Sequence, residues 1–481
     1  MSSESEAAAR RKLRQKRREA FHLRWKKRFA DWSWYAALAE VLLLALWPAG
    51  AEAALLAGTV FTVLRFRTDK DFAFRHLPFD VPVCLFVLIS GVSVLGSPER
   101  GFSFYNWYNL VGVYVLTYFL IGQQVREMRQ FKQVLLALAL AAVLTILCGF
   151  YQFLFGIDIS AMKWVDGEAF PELRKRVFST WENPNIFAGY LDIVICLAFG
   201  FFVKAQNRTQ RIVLGVFMAV AAACLAMTYA RGACLVIAVI FLLYGVIKDW
   251  RVLLGCAVVG GALLLADPVL YERLASVFTK VDTSAEMRLA FWESTIAMIQ
   301  DHPFLGIGWG AYWMVYPEYD FYLQGADIRI VHAHNLYLNY AAEIGIPGAA
   351  AFLWFFFGTM FMALRQKFLP PDPEPIAKTP FDLNEDMAAD AELQRVAQSM
   401  KPAVLEPVLS FRQECCLWPD FRLLGGLSLG IGLAVLSVAL NGFTDDLLFN
   451  IPSSMFLWMM AALAADAVLM KEQEKTDEQE D

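Results

Sequence analysis

The sequence predicts an all-α polytopic membrane protein with about twelve transmembrane helices. Three observations predict it. Of 481 residues, 58% are hydrophobic and only 19% charged, with 39 Phe and 14 Trp, whereas a soluble domain is about 45–50% apolar and about 25% charged. The apolar residues come in runs, and a helix needs roughly 20 of them to cross a bilayer. Lys and Arg gather between alternate runs, as short cytoplasmic loops require. The net charge of −5 says little about partners, because the charges are segregated along the chain.

The chain opens on a basic stretch, 1–33, with Arg10, Arg11, Lys12, Arg14, Lys16, Arg17 and Arg18 followed by Arg24, Lys26, Lys27 and Arg28. Directly before an apolar run, such a stretch pins a terminus to the cytoplasmic face and does not call for nucleic acid. Spans one to nine occupy 34–267: Trp34–Trp47, Ala49–Leu64, Val81–Leu95, Tyr105–Ile121, Val134–Phe155, Ile186–Val203, Ile212–Met227, Ala233–Ile247 and Val252–Leu265. The first two are short enough to be a tilted hairpin, and Pro48-Ala49-Gly50-Ala51 between them mimics a signal-peptidase site. A large extracytoplasmic loop follows at 268–334, between spans nine and ten. Span ten (335–365) is broken near Gly345–Gly348. A Pro-rich acidic insert (366–420), with a helix expected around 386–400, precedes spans eleven and twelve (421–470) and an acidic tail (471–481). The even exits carry Arg65, Arg67, Lys70 and Arg75; Arg126, Arg129 and Lys132; Lys204, Arg208 and Arg211; Lys248 and Arg251; Arg365 and Lys367. The odd exits are poorer, which puts both termini in the cytoplasm. The eight Cys are scattered, most of them in apolar runs. With no metal-ligand spacing among them and Cys415-Cys416 placed in the cytoplasm, neither a disulfide nor a metal site is expected.

Basic residues on the outer side run against this pattern: Lys163, Arg174, Lys175, Arg176, Arg231, Arg273, Lys280, Arg288 and Arg329. Pairing with loop acids such as Asp166, Glu168, Glu172 and Asp282 would explain them. So would an anionic substrate, since the planar guanidinium binds phosphate oxygens bidentately and stays charged. Arg231 stands at the mouth of a span beside Gly232. Arg288 lies on a loop helix opened by Asp282-Thr283-Ser284 and closed near Asp301-His302-Pro303, with Leu289, Trp292, Ile296 and Ile299 as its apolar stripe. Three of the five His, His302, His332 and His334, fall in the same loop. His334 either hydrogen-bonds a helix start or takes a proton from an attacking hydroxyl. His332-Ala333-His334 suggests metal only if a third ligand joins it, and spacing reveals none. Trp309, Tyr312 and Trp313 would stack on sugar rings or anchor the membrane interface.

Three stretches resemble the O-antigen ligase and polymerase family of bacterial membrane proteins. They are Phe178-Ser179-Thr180-Trp181-Glu182-Asn183-Pro184-Asn185, then Thr228-Tyr229-Ala230-Arg231-Gly232-Ala233, where Ala230 replaces the commoner Ser. The third runs from Arg288 and Trp292 through His302-Pro303, Gly306-Ile307-Gly308 and His334-Asn335 to Glu343-Ile344-Gly345. The resemblance implies a GT-C-like fold and an inverting, metal-independent glycosyltransferase without cofactor. Its donor would be an undecaprenyl-diphosphate-linked glycan, its acceptor lipid A-core or another glycan, at the outer face of the cytoplasmic (inner) membrane and among membrane lipids. It implies that Arg231 and Arg288 hold the diphosphate and that His334 positions or deprotonates the acceptor hydroxyl. Asn183, Asn185, Asn335, His332 and Trp309 are expected around the substrates. Ligase is the favoured reading, with polymerase or protein O-glycosyltransferase as alternatives. The last is weakened because no soluble C-terminal domain of that branch is seen. The rival class is a transporter or lipid-linked oligosaccharide flippase, which should show paired broken helices and midplane charges. Only Glu40, Asp192 and Asp466 fit that description, each on a different span.

Overall fold

The computed structural model describes the backbone of residues 3–156, 176–279, 283–322, 329–369 and 418–480. Side chains are described at Lys16 and over 21–156, 176–275, 286–322, 329–369 and 418–473. Lys163, Arg174, Lys175, Lys280, Asp166, Glu168, Glu172, Asp282, Cys415-Cys416 and the helix expected over 386–400 lie outside the described residues. Every regular element among those residues is helical.

The basic N-terminal stretch and the first apolar run form one helix, α1 (Ser3–Leu43), which packs back along α2 (Pro48–Thr68). Then come α3 (Asp80–Ser93), α4 (Arg100–Asn106), and a π turn at Trp107–Val111 leading into α5 (Gly112–Gln124). Next are α6 (Met128–Phe155), α7 (Pro184–Lys204), α8 (Arg208–Met227), α9 (Arg231–Ile247) and α10 (Arg251–Ala266). Pro268 cannot continue the hydrogen-bond ladder of α10. The chain therefore turns by 110° into α11 (Pro268–Thr279). The polar loop carries α12 (Thr283–Asp301) and α13 (Tyr312–Val315), and the chain closes with α14 (Leu336–Arg365), α15 (Asp420–Asn441) and α16 (Ile451–Glu480).

Seven of these helices are long and apolar enough to cross a membrane, or eight if the bent pair α10–α11 is one span. That is fewer than the twelve apolar runs. The reason is physical: α3 and α9 are short, α5 is kept short by the π turn before it, and the apolar end of α1 is the tail of a basic helix. The core lies around α16, of whose apolar window 94% is buried, against 28% for α2 and α8. Beside it α7 and α15 press together at Gly200, Gly426 and Gly430. A Cβ on Gly200 would stand 2.2 Å from the Gly426 carbonyl oxygen, so small residues set this close approach. Two of the three midspan acids have structural partners: Asp192 accepts from Asn441 Nδ2 at 3.1 Å, and Asp466 accepts from Arg75 Nη1 at 3.1 Å.

The break in α14 positions the site. Gly345 has φ 72° and ψ 168°, a region that only glycine enters readily. The Gly-rich turn after α12 fills the break. Ile307 and Gly308 donate their N–H groups to the carbonyls of Ala342 and Glu343 at 2.8 and 2.9 Å, and Ile346 donates to Pro303 at 2.8 Å. The loop's Gly motif and the helix's Gly motif are therefore two halves of one joint.

Candidate active site

Four non-glycine residues among the described ones hold left-handed backbone: Ser179 (φ 53°), Glu182 (φ 60°), Tyr229 (φ 51°) and His334 (φ 50°). All four fall in the three stretches that carry the family resemblance. Each such residue costs on the order of 1–3 kcal/mol, and such strain concentrates where side chains or backbone must be held for function.

His334 sits just before Asn335, which caps α14: its Oδ1 accepts from the N–H groups of Tyr337 and Leu338, both at 3.0 Å. Asn335 Nδ2 donates to the Phe443 carbonyl at 3.1 Å, and Leu336 N–H donates to Gly442 O at 2.8 Å. These bonds dock the start of α14 on the turn after α15, and they bring in a residue that no sequence motif marks. Asp445 Oδ1 lies 3.2 Å from His334 Nδ1. Burial pushes the Asp445 carboxyl up, but the hydrogen bond and charge of His334, helped by His332 and Arg288, prevail and hold it at about 2. In the neutral form of the His334 ring, an ionised Asp445 takes the Nδ1–H and leaves the lone pair on Nε2. The imidazole is 35% exposed, lies over the Phe291 ring at 5.8 Å, and touches the His332 ring at 4.1 Å.

Arg288 stands one helical turn before Phe291 and so shares its side of α12. Its charge acts on both Asp445 and His332. The expected apolar stripe on α12 is corrected here. Leu289 and Ile296 are exposed, and the helix buries Phe291, Ser294, Thr295 and Met298 instead. Thr295 Oγ1 and Tyr312 Oη share a hydrogen bond of 2.7 Å, so polar residues that hydropathy marks as outward belong to this small core.

Asp446, adjacent to Asp445, is 1% exposed. Burial, then the charge of Asp445, pushes its carboxyl up to about 7, against the N–H groups of Leu448 and Phe449. The two neighbouring acids are thus split, Asp445 held below the usual carboxylate range and Asp446 pushed above it. A raised carboxyl stabilises the fold fully below its unfolded value of about 4, and that contribution is lost as pH rises to about 7, on the order of 4 kcal/mol. Asp446→Asn keeps an acceptor for Leu448 N–H, which Asp446 Oδ1 binds at 3.1 Å. Thermal unfolding in detergent should show wild type losing stability relative to this variant between about pH 4 and about pH 7.

The second group of residues is built around Arg176. Its Nε donates to Thr228 O at 2.7 Å and its Nη2 to Asn185 Oδ1 at 2.6 Å. Asn183 caps α7, its Oδ1 accepting from Asn185 N–H at 2.8 Å. The Asn-Pro-Asn stretch therefore starts a helix with its first Asn and aims a guanidinium with its second. Burial, followed by the charges of Arg273 and Arg231, pushes Arg176 down to about 10, so three guanidinium groups share one neighbourhood. Arg231 opens α9. Arg273 is delivered by α11, whose start is fixed by Asp267 accepting from Tyr229 Oη at 2.6 Å and from Val269 N–H at 3.0 Å. Arg231 and Arg273 lie near enough to Arg176 for their charges to act on it, and the charge of Arg288 reaches His332 and Asp445.

Trp309 is 6% exposed and meets Phe86 and Tyr340 edge-on, at 5.9 and 5.8 Å, so its faces serve the core. Trp313 carries the Arg329 guanidinium 3.3 Å above its ring. His332, His334 and Asp445 each place one ligand-type atom within 4.8 Å of the others, a spacing that suits a divalent cation. In the structure those groups are engaged in hydrogen bonds: His332 Nδ1 accepts from the His334 N–H at 3.1 Å, and His334 Nδ1 meets Asp445.

A bundle of apolar helices, seven of them long enough to cross a membrane, defines a class: a polytopic membrane protein. Residues 216–353 match the family model described as O-antigen ligase. The match takes in Arg231, Arg288, His332 and His334 and stops short of Asp445. A search of curated proteins found no match. The family's activity, at its coarsest, is glycan transfer of the ligase or polymerase type.

Proposed function

We propose that the protein is an inverting glycosyltransferase that moves a glycan from undecaprenyl diphosphate to an acceptor hydroxyl at the outer face of the cytoplasmic membrane. Lipid A-core is the favoured acceptor. In this reading the twelve apolar runs are the spans and both termini are cytoplasmic. The observation that carries it is the His334–Asp445 pair at 3.2 Å, which leaves His334 Nε2 as a base.

The acceptor hydroxyl gives its proton to His334 Nε2 while its oxygen bonds to the anomeric carbon. The bond from that carbon to the diphosphate breaks, and undecaprenyl diphosphate leaves with the electron pair. Asp445 stabilises the imidazolium that forms, the role of the carboxylate in a Ser-His-Asp relay. Arg176, Arg231 and Arg273 hold the diphosphate and neutralise the charge that grows on it, while Arg288 orients the reacting ends. A diphosphate leaves well, so this scheme needs orientation and charge stabilisation and uses neither metal nor cofactor.

Polymerisation of repeat units uses the same donor and the same residues. A flippase is disfavoured because the candidate groups gather near one loop, while Asp192 and Asp466 are spent on Asn441 and Arg75. The surface-glycan profile of a deletion strain separates these outcomes. A ligase leaves long polymer on its lipid carrier and none on the outer lipid. A polymerase leaves single repeats where long chains belong. An unchanged profile rejects glycan transfer altogether.

A further inference from the structure

His332 is a partly buried ring with no part in the chemistry just described. Its Nδ1 accepts the backbone N–H of His334 at 3.1 Å, and its ring lies between those of His334, at 4.1 Å, and Phe449, at 4.6 Å. The bond spans two residues and closes a turn over Ala333, itself fully buried and held through its N–H by Asn339 Oδ1 at 3.2 Å. His334 is the residue forced into left-handed backbone at that turn. We propose that His332 is a positioning residue whose ring nitrogen locks the backbone of His334 in the conformation that sets its imidazole against Asp445. This rests on the reading of His334 as the base.

The ring is suited to that task because it stays neutral. A protonated imidazole has no lone pair to accept with, so the bond that Nδ1 accepts from the His334 N–H belongs to a neutral ring. Since Nδ1 accepts, the neutral ring carries its proton on Nε2. His332 would therefore imitate with Nδ1 what an Asn side chain does when its oxygen binds the N–H two residues on.

That equivalence supplies the test. The full-length protein is reconstituted in vesicles with a polyprenyl-diphosphate-linked glycan and lipid A-core, and kcat and KM are measured for His332→Asn and His332→Phe. Asn restores the turn without the aromatic ring; Phe keeps an aromatic ring without the acceptor. The expected result is kcat within about threefold of wild type for Asn and down roughly 10- to 100-fold for Phe, with KM little changed. If Phe matches or exceeds Asn, the ring only packs and the proposal fails. If both lose kcat alike, His332 touches substrate or a metal ion directly, and it fails again. Should the Phe variant not fold, His332→Leu takes its place, and the Asn result stands by itself. A fully active His334→Asn would overturn the underlying reading; an inactive one beside a contrary His332 series overturns this proposal alone.

Discussion

Replacing His334 with asparagine is expected to lower the rate of glycan transfer by roughly 100- to 10,000-fold, the range for loss of a positioned general base. Asparagine is the cleaner probe than alanine, because this backbone is left-handed, with φ 50°, and Asn tolerates that region while Ala is strained in it. The folded structure should survive, since the bonds that dock α14 come from Asn335 and Leu336 and not from the imidazole. Asp445→Asn is the companion. It leaves the neighbour in place but can present an N–H to His334 Nδ1, favouring the tautomer with its proton on Nε2. Transfer should fall in the same range. A transfer assay on purified protein in vesicles, with unfolding temperature as control, decides both. Wild-type rates for either variant would remove the base from the mechanism.

Gly345→Ala should be the most damaging single change outside the chemistry. A Cβ there would lie 2.2 Å from the Phe304 carbonyl oxygen, and the residue has φ 72° and ψ 168°. Both the strain and the clash fall on the joint between the Gly306–Gly310 turn and the break in α14. Relief requires breaking the backbone bonds from Ile307, Gly308 and Ile346. We expect destabilisation of at least about 4 kcal/mol, seen as lost expression or a collapsed unfolding temperature. A well-folded, stable Gly345→Ala protein would show that the joint tolerates another geometry.

Much of this architecture is legible in the amino-acid sequence. Long apolar runs force helices, and the Gly and Pro residues of Gly345-Ile346-Pro347-Gly348 mark the broken one. His334 stands out because a titratable ring beside a helix cap is rare in an apolar chain. Asp445 is not legible, since it lies 111 residues from His334 and reads locally as one of two acids in a short turn. Arg176 is visible only as one cation in a basic run; what selects it is Asn185, which no spacing rule connects to it. Trp309 misleads because aromatic residues serve cores and sugar sites alike, and sequence does not say which faces are free. The stripe on α12 misleads for a related reason: Ser294 and Thr295 are buried, and Thr295 is held there by local hydrogen bonds, whereas hydropathy counts both as outward polarity.

The central claim is a division of labour: arginines hold the donor, and the His334–Asp445 pair activates the acceptor. Binding of labelled undecaprenyl diphosphate to the vesicle-reconstituted protein tests it most directly. We predict that Arg231→Ala and Arg176→Ala each weaken binding roughly 10-fold or more, as loss of a charge-assisted contact should, while His334→Asn binds as wild type does. Weak binding by His334→Asn together with normal binding by both arginine variants would contradict the account.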